Sequence, residues 1–166
     1  MEAKPMPLTA KEIMTTDVIS INKKQTLQEA ASLMAEHGIS GLPVTDAEGV
    51  LIGIISNTDI IDYAHKVNVV PLFDLSGWVS PHTEIKDLAS IRRGIDLLAK
   101  TTVGQLMKKK VYTAREDTGL FELARLMSRR QVNRVPIVDR ENKLIGIVTR
   151  NDLVQNIARS NDSIKP

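Results

Sequence analysis

Leu51-Ile-Gly-Ile-Ile-Ser-Asn-Thr-Asp59 and Leu144-Ile-Gly-Ile-Val-Thr-Arg-Asn-Asp152 are one pattern written twice, 93 residues apart. The match extends outward on both sides. Residues 8–64 lie on residues 101–157 without a gap, so that Met14 meets Met107, Leu27 meets Leu120 and Glu29 meets Glu122. Leu33-Met34 meets Leu126-Met127, Pro43 meets Pro136 and Asp46 meets Asp139. A gapless recurrence of such mixed residue types points to an internal duplication.

Each copy reads as β-α-β-β-α. Residues 18–21 are a β-prone run. Thr26-Leu-Gln-Glu29 has the form of a capping box, and Leu27, Ala30, Ala31 and Met34 follow at helical spacing. In the second copy Gly119 takes the cap position, and Leu120, Leu123, Ala124 and Met127 make the stripe. A strand is expected over 43–45, then a turn in which Gly49 or Asn142 takes a left-handed conformation. The continuous apolar runs 50–55 and 144–148 are expected as strands buried on both faces. A final helix runs from about Asn57 to Ala64, and from about Arg150 to Ala158.

One such unit buries too little surface to stand alone. The expected fold is therefore α/β (α+β), two repeats (8–65 and 101–159) packed with pseudo-twofold symmetry around a central cleft suited to a ligand. Between them, 66–100 reads as an insertion. Its first part, with Pro71, Gly77 and Trp78, is expected as an irregular flap anchored by Trp78. Its second, with Ile85, Leu88, Ile91, Ile95 and Leu98, is expected as an amphipathic helix. The polar tail 160–166 is expected to be mobile.

Composition narrows the function. No apolar run is long enough for a transmembrane helix, the N-terminus has no signal-peptide core, and a cytoplasmic location is expected. The formal charge of +2, with basic residues in short clusters such as 108–110 and 129–130, gives no reason to expect nucleic acid. The absence of cysteine excludes disulfides and thiolate chemistry. His37, His65 and His82 have no metal-ligand spacing. With no nucleophile–base pair and no phosphate-binding loop of the P-loop type, neither an enzyme nor a catalytic cofactor is expected. Gly53 and Gly146, inside strands, read as places of tight sheet packing. Met14, Met34, Met107 and Met127 read as core fillers.

Taken together, Ile13-Met14, Ile39-Ser-Gly-Leu-Pro-Val44 and Leu51–Asp59, with Leu106-Met107, Val132-Asn-Arg-Val-Pro-Ile137 and Leu144–Asp152, closely resemble the CBS domain. A pair of these domains is called a Bateman module. The resemblance implies a module that binds AMP, ADP, ATP or S-adenosylmethionine and often forms a homodimer. It makes Asp152, with Thr149, the anchor for the two ribose hydroxyls, because one carboxylate can accept both as charge-assisted hydrogen bonds. The same Ser/Thr-x-x-Asp spacing is also an ordinary helix cap. Arg134, beside Asn133, and Arg150 resemble family positions that reach phosphates, whereas the first copy has Gly41 and Asn57 there. The adenine is implied to lie against Ile39, Ser40 and Gly41, with the small Ala30 below where the second copy has Leu123. Asp59, Ser56, Val132 and Thr118 mark a second, weaker site. The function so implied is a regulatory adenosine-nucleotide sensor, with Mg²⁺ possible beside ATP, acting on a separate protein partner. The alternatives are a scaffold with vestigial pockets or an S-adenosylmethionine-binding module.

Overall fold

The computed structural model describes residues 8–67 and 88–162, of which 88–91 and 159–162 are described by backbone alone. The expected flap with Trp78, and Ile85 and His82, lie outside these residues. The chain runs α1 (Ala10–Ile13), β1 (Ile21–Asn22), α2 (Leu27–Glu36), β2 (Gly41–Thr45), β3 (Leu51–Ser56), α3 (Asn57–Lys66), α4 (Leu88–Lys100), α5 (Val103–Leu106), α6 (Leu120–Arg130), β4 (Arg134–Val138), β5 (Leu144–Thr149) and α7 (Arg150–Asp162). It is a mixed α/β protein.

Local chemistry sets the start of α2 and the turns before β3 and β5 where the sequence suggested. Thr26 N donates to Glu29 Oε2 at 2.6 Å, and Glu29 N donates back to Thr26 Oγ1 at 3.2 Å, closing the capping box at the start of α2. The backbone bond from Thr26 holds the Glu29 carboxyl below its ordinary pKa. Helix α6 begins after Gly119, which has no side chain to cap with. The turns before β3 and β5 place Gly49 at φ 80° and Asn142 at φ 62°, the left-handed region both residues tolerate.

Several boundaries and faces differ from expectation, beginning with the first strand, expected over 18–21 and found at Ile21–Asn22. Strand β2 starts at Gly41, two residues early. Helix α7 continues to Asp162, past the start of the expected tail. The first strand of the second copy shrinks to a parallel bridge, Ala114 to Ile137, in the register that β1 makes through Ile21 and Val44. Finally, β3 and β5 are not buried on both faces. Their residues alternate between buried and half-buried, and it is β2 and β4 that run nearly fully buried. In the three-stranded sheet β2 is the central strand, which is where double-sided burial belongs. Helix α4 is present and lies on α2. Ile95, expected on its apolar face, is 49% exposed.

The described residues form two compact units, and neither is one sequence repeat. The first gathers 8–19, 47–51 and 111–162; the second gathers 20–46 and 52–67 with 88–110. Each unit thus takes its short lead helix from the other copy. In the first unit α1 docks beside α6, with Ala10 N donating to Thr118 O and Leu120 N to Leu8 O, both at 2.8 Å. In the second, α5 makes the counterpart bonds, Val103 N to Gln25 O at 2.8 Å and Leu27 N to Thr101 O at 2.9 Å. The first unit's core joins Ala10 and Ile13 to Leu120, Leu123, Met127, Val135, Ile137, Val148 and Leu153. The second buries Leu27, Ala30, Met34, Leu42, Val44, Ile55 and Val103.

The two strand glycines make this docking possible. Residue Met14, just after α1, seats its thioether on Gly146, and Thr15 bridges to Ile147. Met107, just after α5, seats on Gly53, and Lys108 bridges to Ile54. A Cβ at Gly53 would stand 2.5 Å from Met107 Sδ, and one at Gly146 would overlap Met14 Sδ. The glycines are packing devices, and Met34 and Met127 fill the cores at 5% and 2% exposure. Gly146→Ala is expected to destabilise the protein by about 1–3 kcal/mol through overpacking. Because the clash is with Met14, most of that loss should disappear when Gly146→Ala is made in a Met14→Ala background. Denaturant unfolding of the four proteins checks this, and additive losses would show that the glycine acts otherwise.

Candidate functional site

The strand-to-helix corner after β5 holds Asp152 by its own backbone. Thr149 N and Thr149 Oγ1 both donate to Asp152 Oδ2 at 2.7 Å, and Asp152 N donates to Thr149 Oγ1 at 3.3 Å. The corner after β3 repeats this: Ser56 N and Oγ donate to Asp59 Oδ2 at 2.8 and 2.6 Å. Both aspartates therefore cap helices, as the plainer reading of the motif held. Capping engages only Oδ2, so in both corners the second oxygen is oriented but not consumed.

At that second oxygen the corners part. Lys108 Nζ stands 2.8 Å from Asp59 Oδ1, and the Asp59 side chain is only 11% exposed. Burial raises the pKa of Asp59, but the bonds from Lys108 and Ser56 outweigh it and hold the carboxyl below its ordinary value. Lys108 is in place because Met107 sits on Gly53 and the Lys108 backbone bridges Ile54, N to O at 2.9 Å. The residue at Lys108's position in the first copy is Thr15, which carries no charge. Among the described residues Asp152 Oδ1 accepts no hydrogen bond and meets no cation.

Two arginines belong to the same strand-to-helix corner as Asp152. Arg134 is paired with Thr149 across β4 and β5, so the two share a face of the sheet. Arg134 is half-buried, and burial pushes its guanidinium pKa down. The exposed Arg150 donates its N–H to Asn133 O at 3.0 Å and its Nε to Val132 O at 3.3 Å. The first unit thus brings together Asn133, Arg134, Thr149, Arg150 and Asp152, and Val132 with them. Thr118 stands apart in the same unit, its Oγ1 accepting from Arg115 N at 3.0 Å.

Ile39, Ser40, Gly41 and Ala30 belong to the second unit. There Asn57 N donates to Ser40 O at 3.1 Å, Gly41 is buried at the start of β2, and Ala30 is fully buried within α2. Sequence reasoning missed Lys108. Its signal was a lysine facing a threonine across the repeat beside an otherwise matched Met-Met pair. Among the described residues no group of three or more histidines or carboxylates could hold a metal, and no helix is long and apolar enough to cross a membrane.

The pKa of Asp59 lies lower in the folded than in the unfolded chain. Its ionisation therefore adds stability above the ordinary carboxylate pKa, and this is lost as pH falls through the lowered folded value. Replacing Lys108 by methionine is expected to raise the Asp59 pKa toward the ordinary range and to flatten the acid limb of stability against pH. Carboxyl-detected NMR titration of both proteins reads the shift; an unmoved Asp59 would remove Lys108 from the account.

The CBS domain family model matches this chain twice, over residues 10–66 and 103–159. The CBS domain-containing protein YhcV of Bacillus subtilis (strain 168) is 32% identical over 155 residues, covering 93% of this chain and 89% of its own. Among solved structures, the CBS-pair protein CBSX2 from Arabidopsis thaliana is 26% identical with a TM-score of 0.71, covering 95% of this chain and 99% of its own. The CBS domain pair of protein MJ0100, in complex with 5′-methylthioadenosine and S-adenosyl-L-methionine, is 26% identical with a TM-score of 0.69, covering 93% of this chain and 99% of its own. With two matched repeats spanning most of its length, this chain belongs to the CBS domain family.

Proposed function

We propose that the chain is a regulatory module that binds a phosphorylated adenosine ligand (AMP, ADP or ATP) at the Asp152 corner. The observation that carries this reading is the oriented Asp152 Oδ1 with no partner among the described residues, beside Arg134 and Arg150. A ribose presents two vicinal hydroxyls to such a carboxylate. The arginines suit phosphate oxygens better than a cationic sulfonium, which turns the preference away from S-adenosylmethionine. The adenosine compounds bound by the MJ0100 domain pair support the ligand class. Asp59, with its second oxygen taken by Lys108, is the weaker site.

The module acts by differential affinity: a ligand that prefers one conformation shifts the population that a separate protein partner, or a second copy of the chain, can read. Any Mg²⁺ would arrive with ATP, and the reading requires no chemistry on the ligand. The test is calorimetric titration of the nucleotide-stripped protein with AMP, ATP and S-adenosylmethionine. Asp152→Ala is expected to weaken binding on the order of ten- to a hundredfold, the scale of a charge-assisted pair, and Asp59→Ala to change it little. A folded wild-type protein silent toward all three ligands would replace the sensor by a scaffold.

A further inference from the structure

Four arginines, Arg115, Arg125, Arg129 and Arg130, line one open cleft of about 660 Å³ in the first unit. It lies between α6 and the segment leading into it, and its wall includes none of Asn133, Arg134, Thr149, Arg150 or Asp152. Thr118 is in the wall, but its hydroxyl already accepts from Arg115 N. The one carboxylate lining the cleft is Glu122.

The charge is not neutralised from within. Among the described residues neither the Arg125 nor the Arg129 side chain makes an ion pair or hydrogen bond, and the Glu122 carboxylate pairs with neither. Arg130 stacks its guanidinium 4.9 Å from the Tyr112 ring centroid, a contact that leaves its N–H fork available at the edges. Arg115 spends Nη1 on Val138 O at 3.1 Å, which fixes the direction of its remaining donors.

The fold does not ask for this charge. Arg125 and Arg129 are four apart on α6, a like-charge spacing that disfavours the helix. Arg129 and Arg130 do complement the helix's negative end, but Arg125 and Arg115 do not. In the first copy, which makes the same helix, the four positions hold Asn22, Ser32, Glu36 and His37. An arginine set confined to one copy, concave and with a single carboxylate among four guanidinium groups, matches the fork geometry and charge of several phosphate groups. We infer that this cleft is a second anion site, separate from the Asp152 corner, and that it takes an oligophosphate chain, either inorganic or as the tail of a nucleoside triphosphate.

The probe is inorganic tripolyphosphate, titrated calorimetrically into the full chain, with ATP beside it. Tripolyphosphate is expected to bind wild type and Asp152→Ala alike. It should bind the Arg125→Ala/Arg129→Ala double variant at least about tenfold more weakly, the scale of a lost charge-assisted bond. Arg92→Ala/Lys109→Ala removes the same charge from exposed positions elsewhere and should leave the affinity unchanged. Both arginines of the cleft variant are exposed, so its unfolding temperature should not fall. In the Asp152→Ala background, ATP binding more tightly than tripolyphosphate assigns the cleft to a nucleotide tail, and the reverse assigns it to the inorganic chain. Tripolyphosphate that fails to bind, that weakens equally in the two double variants, or that is lost with Asp152→Ala overturns the separate site. So does a cleft that responds only to nucleic acid or to an acidic protein. Failure here leaves the adenosine reading standing, because that rests on AMP and Asp152.

Discussion

Two strand positions without side chains carry the architecture. Gly53 and Gly146 let a methionine thioether lie directly on the strand, and the next residue's backbone then reaches its bridge partner. Were those positions alanine, the Met107 and Met14 side chains would have to shift off the strands they lie on. The lead helices α1 and α5 run directly into these bridges, so the contact that Gly53 allows also places Lys108.

The site shows one carboxylate serving two purposes. The Ser/Thr-x-x-Asp motif has to cap a helix whether or not anything binds, and in both corners Oδ2 does so. What differs is the neighbour of the other oxygen, and that neighbour comes from a distant segment. Similar local motifs thus acquire different capacities from their neighbours: Lys108 at one corner, Arg134 and Arg150 at the other. A carboxylate closed by a lysine has its charge compensated; one left open beside arginines keeps a directed acceptor.

Much of this was legible in the sequence because it is local. The repeat, the Thr26–Glu29 box, the left-handed Gly49 and Asn142 and the two aspartate corners depend on residues within a few positions of one another. The exchange of α1 and α5 was not legible. A gapless repeat predicts the same pattern whether each lead segment docks on its own copy or on the other. The apolar runs 50–55 and 144–148 misled for a related reason, since a run of Leu, Ile and Val does not say which strand ends up central. The grouping of Arg115 with Arg125, Arg129 and Arg130 needed the fold, because loop and helix positions 10 to 15 residues apart converge only there.

The borrowing of lead helices has an evolutionary corollary. A gene encoding one copy alone would specify neither unit, because the copy's own lead helix belongs to the other and the helix it needs lies outside it. A single-copy ancestor folding in this manner would have had to trade segments with another chain, at a cost that rises as the protein becomes dilute. Fusing two copies in tandem turned that encounter into an intramolecular one with a fixed effective concentration. It also freed the copies to diverge: Lys108 and the cleft arginines all belong to the second copy, and the Thr15, Asn22, Ser32, Glu36 and His37 that answer them in the first are differences that an assembly of identical chains could not have held.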